Sequence, residues 1–327
     1  MSAVSADKVR IGFIGAGGMA NYVHYPSLAS FEDVEIAAVC DLNSERLNAT
    51  ADKYGVGKRY ASFTRMVEEV APDAVYAVGP PHQMYDVWVW CLQRGCNLFI
   101  EKPMGLTLHQ ARTLAHLAEK HECVTQVGFQ RRACPIAVML REKCLERGPI
   151  SHAVCTFYKC ALDPVYGASD HMHDDCVHAL DTVRWMCGGE VTRIHSVLRR
   201  VGTPDINLIL ATIEFDNGAT GLVLSNWTSG RRIFSVEMHA PGICAEAELE
   251  GKGHLYADGD TTGHEFDTRE VAGSDEFFVF GGFRAKSREF IDSVRTGARP
   301  GSCFSDAVKT MEAAERILAA AALEGRA

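Results

Sequence analysis

Strand-like apolar runs alternate with amphipathic segments in the first 126 residues of the chain. Lys8–Ile14 and Val34–Cys40 predict strands, and Asp73–Val78 is apolar at nearly every position, as expected where helices cover both faces of a parallel sheet. Asn97–Ile100 and Cys123–Val127 predict two more strands. The segments between them have helical spacing of apolar residues. This alternation predicts a first domain, residues 1–126, with a doubly wound parallel sheet (a Rossmann α/β fold).

The second half of the chain has a different pattern, because strand-like runs dominate it. Asp216-Asn217-Gly218, between two of these runs, is a hairpin signal. We expect a second α/β domain, residues 127–327, with a large, mostly antiparallel open-faced sheet and two closing helices over Gly282–Thr296 and Asp306–Leu323. The predicted strands of this sheet are Ile150–Cys160, Ile194–Val201, Leu208–Phe215, Thr220–Trp227 and Ile233–His239.

One face of the predicted sheet would be too apolar for a monomer. The side chains available to that face are Ile209, Ile213, Leu222, Leu224 and Trp227. Large exposed apolar surfaces are typical of interfaces between copies of a chain. We therefore expect a homodimer or homotetramer formed through the sheet of the second domain.

Composition narrows the class of protein further. The chain has 327 residues, of which 47% are hydrophobic and 23% charged, and its net charge is −9. These values are typical of a globular protein with two domains, and the acidic balance argues against nucleic acid or an anionic membrane as partner. The first six residues lack the features of an export signal, and no apolar run is long enough to span a membrane. We expect a cytoplasmic protein, whose 12 scattered cysteines are reduced.

The glycine-rich segment after the first strand carries the first candidate chemistry. Gly15, Gly17 and Ala20 have the spacing G-x-G-x-x-A, which allows a tight turn, close approach of the backbone to a pyrophosphate, and close packing of helix on strand. The helix that follows would direct its N–H groups and its dipole at the phosphates. The cofactor-binding candidates in this turn are Gly15, Gly17, Gly18, Met19 and Ala20.

Asp41 follows the second predicted strand, about 20 residues beyond the motif, where an acid binds the ribose hydroxyls of a dinucleotide. A carboxylate at that position repels a 2′-phosphate, so we expect NAD in preference to NADP. Arg46 and Arg59 lie nearby in sequence and would weaken this preference.

Further candidates lie where predicted strands end, because ligands bind at the carboxyl edge of such sheets. Lys102, in Glu101-Lys102-Pro103, is suited to hydrogen-bond a substrate hydroxyl, and Pro103 is compatible with a cis bond that would fix the loop. Arg131 and Arg132 are either cofactor-binding groups or a solvated hinge. The other cofactor-binding candidates at strand ends are Pro80, His82, Glu101, Lys102 and Gln130.

The segment from Asp170 to Asp181 is rich in histidine and starts a predicted helix that ends at Gly188-Gly189. Asp174 and His178 are four positions apart and would share one helix face, where the carboxylate orients the imidazole for general acid–base catalysis. His171 and His173 are expected on the loop before this helix. A structural role for these histidines and a metal site made of His171, His173, Asp174 and His178 are the alternatives, although the spacing matches no recognised zinc motif.

Taken together, G-x-G-x-x-A, Glu101-Lys102-Pro103 and Asp174-x-x-x-His178 resemble the glucose-fructose oxidoreductase / inositol dehydrogenase / MocA family of nicotinamide-dependent oxidoreductases. The resemblance covers essentially the whole chain. It implies a Rossmann domain followed by an open-faced α/β domain that commonly builds dimers or tetramers, with the lysine and histidine acting on a substrate hydroxyl. Two positions depart from the family pattern: Cys176 stands where a glycine is usual, and Met84 where a histidine is frequent.

The sequence therefore predicts an NAD-dependent dehydrogenase of a sugar, polyol or related cyclic hydroxyl, with Lys102, Asp174 and His178 as catalytic residues and no metal. Substrate-facing residues are expected in Leu162–Ser169 and Trp227–Arg232. Three alternatives stay open. They are redox-assisted glycoside elimination or hydrolysis with catalytic NAD, a metal-dependent hydrolase that uses His171, His173 and His178, and a non-catalytic nucleotide sensor.

Overall fold

The computed structural model describes residues 8–163, 165 and 170–323, which divide into two compact units. The first unit consists of the chain up to Gly105, His109–Gly128 and Phe283–Asp306. The second consists of Leu106–Leu108, Phe129–Gly282 and the chain from Ala307 onward. No helix in the described residues is long and apolar enough to cross a membrane.

The first unit has a parallel sheet of six strands in the order β3-β2-β1-β4-β5-β6 within the described residues. This order is that of a Rossmann fold, and it confirms the predicted doubly wound sheet. The order of the strands switches sides at β1, with β2 and β3 on one side and β4 to β6 on the other, so ligand-binding groups are expected after β1 and β4. The strands are β1 (Val9–Ile14), β2 (Val34–Cys40), β3 (Arg59–Tyr60), β4 (Ala74–Ala77), β5 (Leu98–Ile100) and β6 (Thr125–Val127).

Helices connect these strands and begin where the sequence supplies caps. Asn43 accepts a hydrogen bond from the N–H of Arg46 (2.9 Å), and Ser62 accepts one from the N–H of Arg65 (3.4 Å). In chain order the helices are α1 (Tyr25–Ala29), α2 (Ser44–Lys53), α3 (Phe63–Val70), α4 (Pro81–Gln93), α5 (Leu108–Lys120), α6 (Pro135–Leu145), α7 (Val177–Cys187), α8 (Thr268–Ala272), α9 (Phe277–Phe280), α10 (Phe283–Thr296) and α11 (Phe304–Leu323).

The second unit contains an eight-stranded sheet in its described residues, in the order β14-β13-β12-β11-β7-β10-β9-β8. Every neighbouring pair is antiparallel except β7 and β10, so the predicted mostly antiparallel sheet is confirmed. The predicted hairpin joins β9 to β10, with Gly218 at a φ of 86°. The strands are β7 (His152–Cys160), β8 (Val191–Arg199), β9 (Leu208–Phe215), β10 (Thr220–Asn226), β11 (Thr228–Ala240), β12 (Ile243–Glu248), β13 (Lys252–Ala257) and β14 (His264–Asp267).

The prediction for the apolar face of this sheet is partly wrong. Ile209 and Ile213 are fully buried, and Trp227 is 1% exposed, because these three side chains pack in the core. Leu222 and Leu224 are on the other face, since residues alternate between faces along a strand. Antiparallel pairing places Leu210 directly opposite Leu224, so Leu210 and its alternate neighbour Leu208 belong to the open face.

All twelve cysteines are free thiols, in agreement with the prediction of a reduced protein. Burial raises the pKa of Cys134, Cys176 and Cys187 to about 12, so these thiols stay protonated and behave as small apolar side chains. Cys176, the departure from the family pattern, is fully buried in the core and donates to the hydroxyl of Ser225 (3.3 Å).

Candidate active site

The turn after β1 has the geometry that the glycine motif predicts. Gly15 has a φ of 108°, and a Cβ added there would lie 2.0 Å from the carbonyl oxygen of Val78. No described protein atom lies within 4 Å of a Cβ added at Gly17 or Gly18. The first glycine is thus required by the turn, whereas the other two leave their backbone open to a ligand.

The residues after the turn continue directly into helical structure. Ala20 is 1% exposed and starts a π-helical turn, Ala20–His24, that leads into α1. Met19 is 43% exposed. The predicted close packing of the small residue at position 20 is therefore present, while the side chain of Met19 lies at the surface of its unit.

Asp41 lies beside this turn. Its carboxylate accepts hydrogen bonds from the backbone N–H of Ala16 (2.7 Å) and of Asn43 (2.7 Å). The guanidinium of Arg46 is 3.9 Å away on a side chain that is 59% exposed. A carboxylate has about four acceptor positions, so Asp41 retains capacity for ribose hydroxyls. The glycine turn and Asp41 have the geometry that fits the pyrophosphate and the adenosine ribose of a dinucleotide.

The segment after β4 supplies the candidates Pro80 and His82. The carbonyl of Pro80 accepts the N–H of Gln83 (2.9 Å) at the start of α4, and His82 is exposed in the first turn of that helix. Met84 is 7% exposed, and its sulfur would lie 2.8 Å from a Cβ at Gly79. Met84 therefore packs under the loop after β4.

Glu101 and Lys102 follow β5 on the carboxyl edge of the same sheet as the glycine turn, with only β4 between β1 and β5. Glu101 is 7% exposed, and its carboxylate accepts the N–H of Lys102 (3.2 Å). The Lys102–Pro103 bond is cis, as the sequence allows. A Cβ at Gly128 would lie 2.6 Å from Glu101 Oε1, so glycine is needed there to make room for this carboxylate.

His24 is a residue that the sequence analysis misses. Its Nε2 lies 2.8 Å from Oε1 of Glu101, and its ring is 1% exposed. The ring packs edge-on against Phe99 of β5, with ring centroids 5.3 Å apart. In the sequence, His24 is a lone histidine four residues after Ala20. Its pairing with Glu101 could not be inferred, because the two residues are 77 positions apart.

In the second unit, His178 lies in the first turn of α7 and is 8% exposed. Its ring packs edge-on against Phe129, with centroids 6.3 Å apart. Asp174 lies in a π-helical turn, Met172–Cys176, that continues into α7. Helical structure thus begins earlier than predicted, since His173 lies in this turn and His171 caps it. The prediction that these two histidines lie on a loop is wrong. The predicted end at Gly188 is confirmed, since its N–H caps the helix by donating to Arg184.

Asp181 is a second residue that the sequence analysis does not single out as functional. Its side chain is 1% exposed and accepts two hydrogen bonds from the guanidinium of Arg132. The hydroxyl of Thr310 on α11 donates to it as well (3.0 Å). Because Asp181 is three residues after His178 on α7, these bonds fix the helix that carries the imidazole. In the sequence, the only indication of this role is that Asp181 follows His178 with His-x-x-Asp spacing.

Arg131 and Arg132 are buried, so the solvated hinge predicted as one alternative for them is wrong. Both side chains are buried in ion pairs, Arg132 with Asp181, and Arg131 with Glu250 (3.0 Å). Arg131 also stacks over the ring of Phe234, 4.5 Å from its centroid. Asp181 is buried with Arg132, whereas Glu250 is partly exposed. The Arg132–Asp181 pair is therefore structural, because leaving either buried charge unpaired is costly.

Gln130 is 4% exposed in a 3-10 turn, Gln130–Ala133, that belongs to the second unit. Its Oε1 has no hydrogen-bond partner among the described residues. Buried polar atoms are normally paired, so this amide has acceptor capacity for a ligand.

His171 and Trp227 form a pair of buried polar side chains. Their rings stack with centroids 4.6 Å apart and an interplanar angle of 20°. His171 is 4% exposed and Trp227 1%, and within the described residues neither imidazole nitrogen nor the indole N–H has a hydrogen-bond partner. Burial lowers the pKa of His171, so the ring is neutral and offers one donor and one acceptor. Of the predicted substrate loop Leu162–Ser169, residues 164 and 166–169 lie outside the described residues.

His173 has a different environment. Its Nδ1 lies 3.0 Å from Asp170 Oδ1, and its Nε2 lies 3.4 Å from Glu315. Burial opposes the charged ring, but the hydrogen bond and charge of Asp170, together with Glu315, outweigh it and raise the pKa of His173. In the described part of the chain, the group of side chains whose potential metal-ligand atoms lie close together comprises His152, Glu237 and His239. It does not include the predicted ligands His171, His173, Asp174 and His178. The alternative of a histidine-cluster hydrolase is therefore not supported.

The chain was compared with protein-family models and known proteins. Residues 9–129 match a model described as "Oxidoreductase family, NAD-binding Rossmann fold". Residues 153–240 match a model of the GFO/IDH/MocA C-terminal domain. The two models thus cover both units.

Individual relatives are similar over nearly their whole length. The rhizopine catabolism protein MocA of Rhizobium meliloti is 28% identical over 94% of this chain and 93% of its own. A myo-inositol 2-dehydrogenase of Thermotoga maritima is 26% identical over 91% of this chain and 92% of its own. Among solved structures, levoglucosan dehydrogenase in complex with NADH and L-sorbose is similar with a TM-score of 0.84, 18% identity and coverage of 98% of both chains. At that identity, the structural likeness concerns the fold alone.

Proposed function

This chain belongs to the Gfo/Idh/MocA family of oxidoreductases, and we propose that it is an NAD-dependent dehydrogenase of a sugar, polyol or related cyclic hydroxyl. The observation that carries the proposal is in the first unit. Lys102 follows β5 on the same sheet edge as the glycine turn after β1, so an ammonium group and a dinucleotide site share one edge. Oxidation of a hydroxyl needs the hydride acceptor, and a neighbouring ammonium group stabilises the negative charge that develops on the oxygen.

The cofactor, when bound, supplies the hydride acceptor. In the forward direction the C–H bond of the alcohol breaks with its electron pair, the O–H proton leaves, and a C=O bond forms. We assign the role of proton acceptor to an imidazole nitrogen of His178, with Asp174 orienting the ring. The ammonium of Lys102 stabilises the oxygen as negative charge develops on it. In the reverse direction His178 returns the proton.

Binding of the cofactor is assigned to three groups of residues. Gly15, Gly17 and Gly18 admit the pyrophosphate, and Asp41 binds the adenosine ribose hydroxyls. Because Asp41 is anionic and repels a 2′-phosphate, NAD is favoured over NADP. Arg46, 3.9 Å away on a largely exposed side chain, only weakens this preference. The remaining candidates, Met19, Ala20, Pro80, His82, Glu101, Lys102 and Gln130, border the cofactor.

Hydroxyl-rich substrates suit the second unit. His171 and Trp227 present buried nitrogen atoms without hydrogen-bond partners among the described residues, and such atoms are stabilised when a ligand hydroxyl pairs with them. Relatives named after inositol and rhizopine are in line with this substrate class.

We further propose that the protein is a cytoplasmic homodimer or homotetramer. The open face of the second sheet carries Leu208, Leu210, Leu222 and Leu224 at half-buried positions, and a second copy would cover them. Twelve unpaired thiols are typical of a reducing compartment.

The test is a panel of inositols, sugars and sugar acids incubated with NAD, in which NADH absorbance is followed. We expect NADH to accumulate in proportion to turnover with at least one cyclic polyol or sugar. Product formation without NADH accumulation would indicate redox-assisted elimination or hydrolysis instead. Tight NADH binding without turnover on the whole panel would indicate a nucleotide sensor and overturn the proposal.

A further inference from the structure

Three potential metal ligands meet on the open face of the second sheet. His152 on β7 lies directly opposite His239 on β11 in an antiparallel pair, so their side chains share one face. The imidazole rings stack, with centroids 4.0 Å apart and an interplanar angle of 11°. Glu237 lies two residues before His239 and therefore on the same face.

The ligand atoms of these three side chains already lie close together. One nitrogen of each histidine and one carboxylate oxygen of Glu237 lie within 4.8 Å of one another. His239 Nε2 and Glu237 Oε1 are 2.6 Å apart. Ligand atoms around tetrahedral zinc are separated by roughly 3.4 Å, given metal–nitrogen distances of about 2.1 Å. Small side-chain rotations would bring the set to that spacing.

Two neutral imidazoles and one carboxylate form a donor set that zinc accepts readily. Cys244 lies outside this close group, but it is directly opposite His239 on the neighbouring strand β12 and partly buried, so a turn of its side chain would supply a fourth donor. Three adjacent strands thus present His152, His239 and Cys244 in one row across the sheet. A carboxylate beside this row supplies the negative charge that a divalent cation needs.

We propose that His152, Glu237, His239 and Cys244 form a binding site for a divalent transition-metal ion of the zinc type. The site is independent of the hydride-transfer site. Ala153 and Cys155, which alternate with His152 along β7, point to the opposite face, where they are buried in the core. Helix α7 with His178 packs on that buried face. The metal is therefore structural and ties β7, β11 and β12 together.

The test uses the full-length protein, stripped of metal by a chelator and then titrated with Zn²⁺ by calorimetry. We expect one ion per chain, and at least tenfold weaker binding in His152→Gln and His239→Gln. The matched control is His116→Gln, which removes an exposed imidazole of α5 in the other unit and should leave Zn²⁺ affinity unchanged. Circular dichroism and NADH binding check that each variant is folded.

Co²⁺ serves as the spectroscopic probe for the fourth ligand. A tetrahedral Co²⁺ spectrum with a thiolate-to-metal charge-transfer band is expected, and Cys244→Ser should remove that band. Absence of saturable Zn²⁺ binding, or equal affinity in the His239→Gln and His116→Gln proteins, overturns the site. Absence of the charge-transfer band in the unaltered protein overturns the assignment of Cys244. Because Zn²⁺ binding is measured without substrate, failure here is distinguishable from failure of the proposed dehydrogenase activity.

Discussion

The imidazole of His24 lies 2.8 Å from the carboxylate of Glu101, and both side chains are buried at the carboxyl end of β5. The same carboxylate accepts the N–H of Lys102, so one side chain connects the first helical segment to the proposed catalytic lysine. The Glu101 carboxylate fits at this position because residue 128 is glycine and has no side chain to collide with it. We infer that the pair sets the position of the lysine backbone.

This relationship predicts the effect of removing the carboxylate. Glu101→Ala leaves the buried His24 without its partner, which should lower the free energy of unfolding by about 1–3 kcal/mol. Glu101→Gln keeps a hydrogen-bonding group and should cost less. Urea denaturation measures both values, and equal stability of the alanine variant and the unaltered protein would contradict the interpretation.

Gly15 and Gly17 should respond differently to the same added methyl group. Gly15→Ala combines a φ of 108° with an approach of 2.0 Å to the carbonyl oxygen of Val78, so it should destabilise the protein and abolish NADH binding. Gly17→Ala meets no described protein atom and should fold normally, yet bind NADH more weakly because the methyl occupies space left for the pyrophosphate. Thermal unfolding and fluorescence titration with NADH separate the two effects. Unaltered NADH affinity in Gly17→Ala would show that the cofactor does not approach this turn.

His178 and Asp181 lie on the same helix but should affect catalysis in different ways. His178→Asn should lower kcat by about 10²–10⁴-fold with little change in NADH affinity, since it removes the proton acceptor. Asp181→Asn should lower stability, because Arg132 loses a buried anionic partner, and breaking such a pair costs about 3–5 kcal/mol. The pH profile of kcat distinguishes them: the acidic limb should disappear in His178→Asn and persist in Asp181→Asn. Unchanged turnover in His178→Asn would eliminate the imidazole as acid–base.

Asp41 should determine the choice of cofactor. Asp41→Ser removes the negative charge beside the glycine turn, so NADH affinity should fall about tenfold. The ratio of NADH affinity to NADPH affinity should decrease as well. Arg46→Ala is the matched control, because it leaves the carboxylate and removes the cation 3.9 Å from it. That variant should weaken NADPH binding more than NADH binding. A clear preference of the unaltered protein for NADPH would contradict the role of Asp41.

The sequence pattern was informative where local rules decide the structure. Val34–Cys40 is predicted to the residue because an apolar run is bounded by polar turns, and Asn43 and Ser62 cap helices as their chemistry requires. Strands β12 to β14 are missed, because their short runs mix alanine and glycine with charged residues and carry little apolar signal.

Long-range pairings could not be predicted from the sequence. Arg131 and Arg132 have the pattern of a solvated charge pair, but their partners Glu250 and Asp181 are 119 and 49 residues away. His24 and Glu101 are a similar case. The site motifs were recognisable because each is local, whereas the side chains that hold them in place belong to other elements.

His173 should make the stability of the second unit dependent on pH. The hydrogen bond and charge of Asp170, with Glu315, raise its pKa above the ordinary value of 6.5, although burial opposes this. A group whose pKa is higher in the folded state stabilises the fold fully below its unfolded pKa and loses that contribution as pH rises through the folded value. The free energy of unfolding should therefore decrease from about pH 6.5 upward, relative to His173→Asn. Urea denaturation at several pH values measures the difference, and His116→Asn, which alters an exposed imidazole, should follow the unaltered protein. A His173→Asn protein with the same pH dependence as the unaltered one would show that the ring is neutral in the fold.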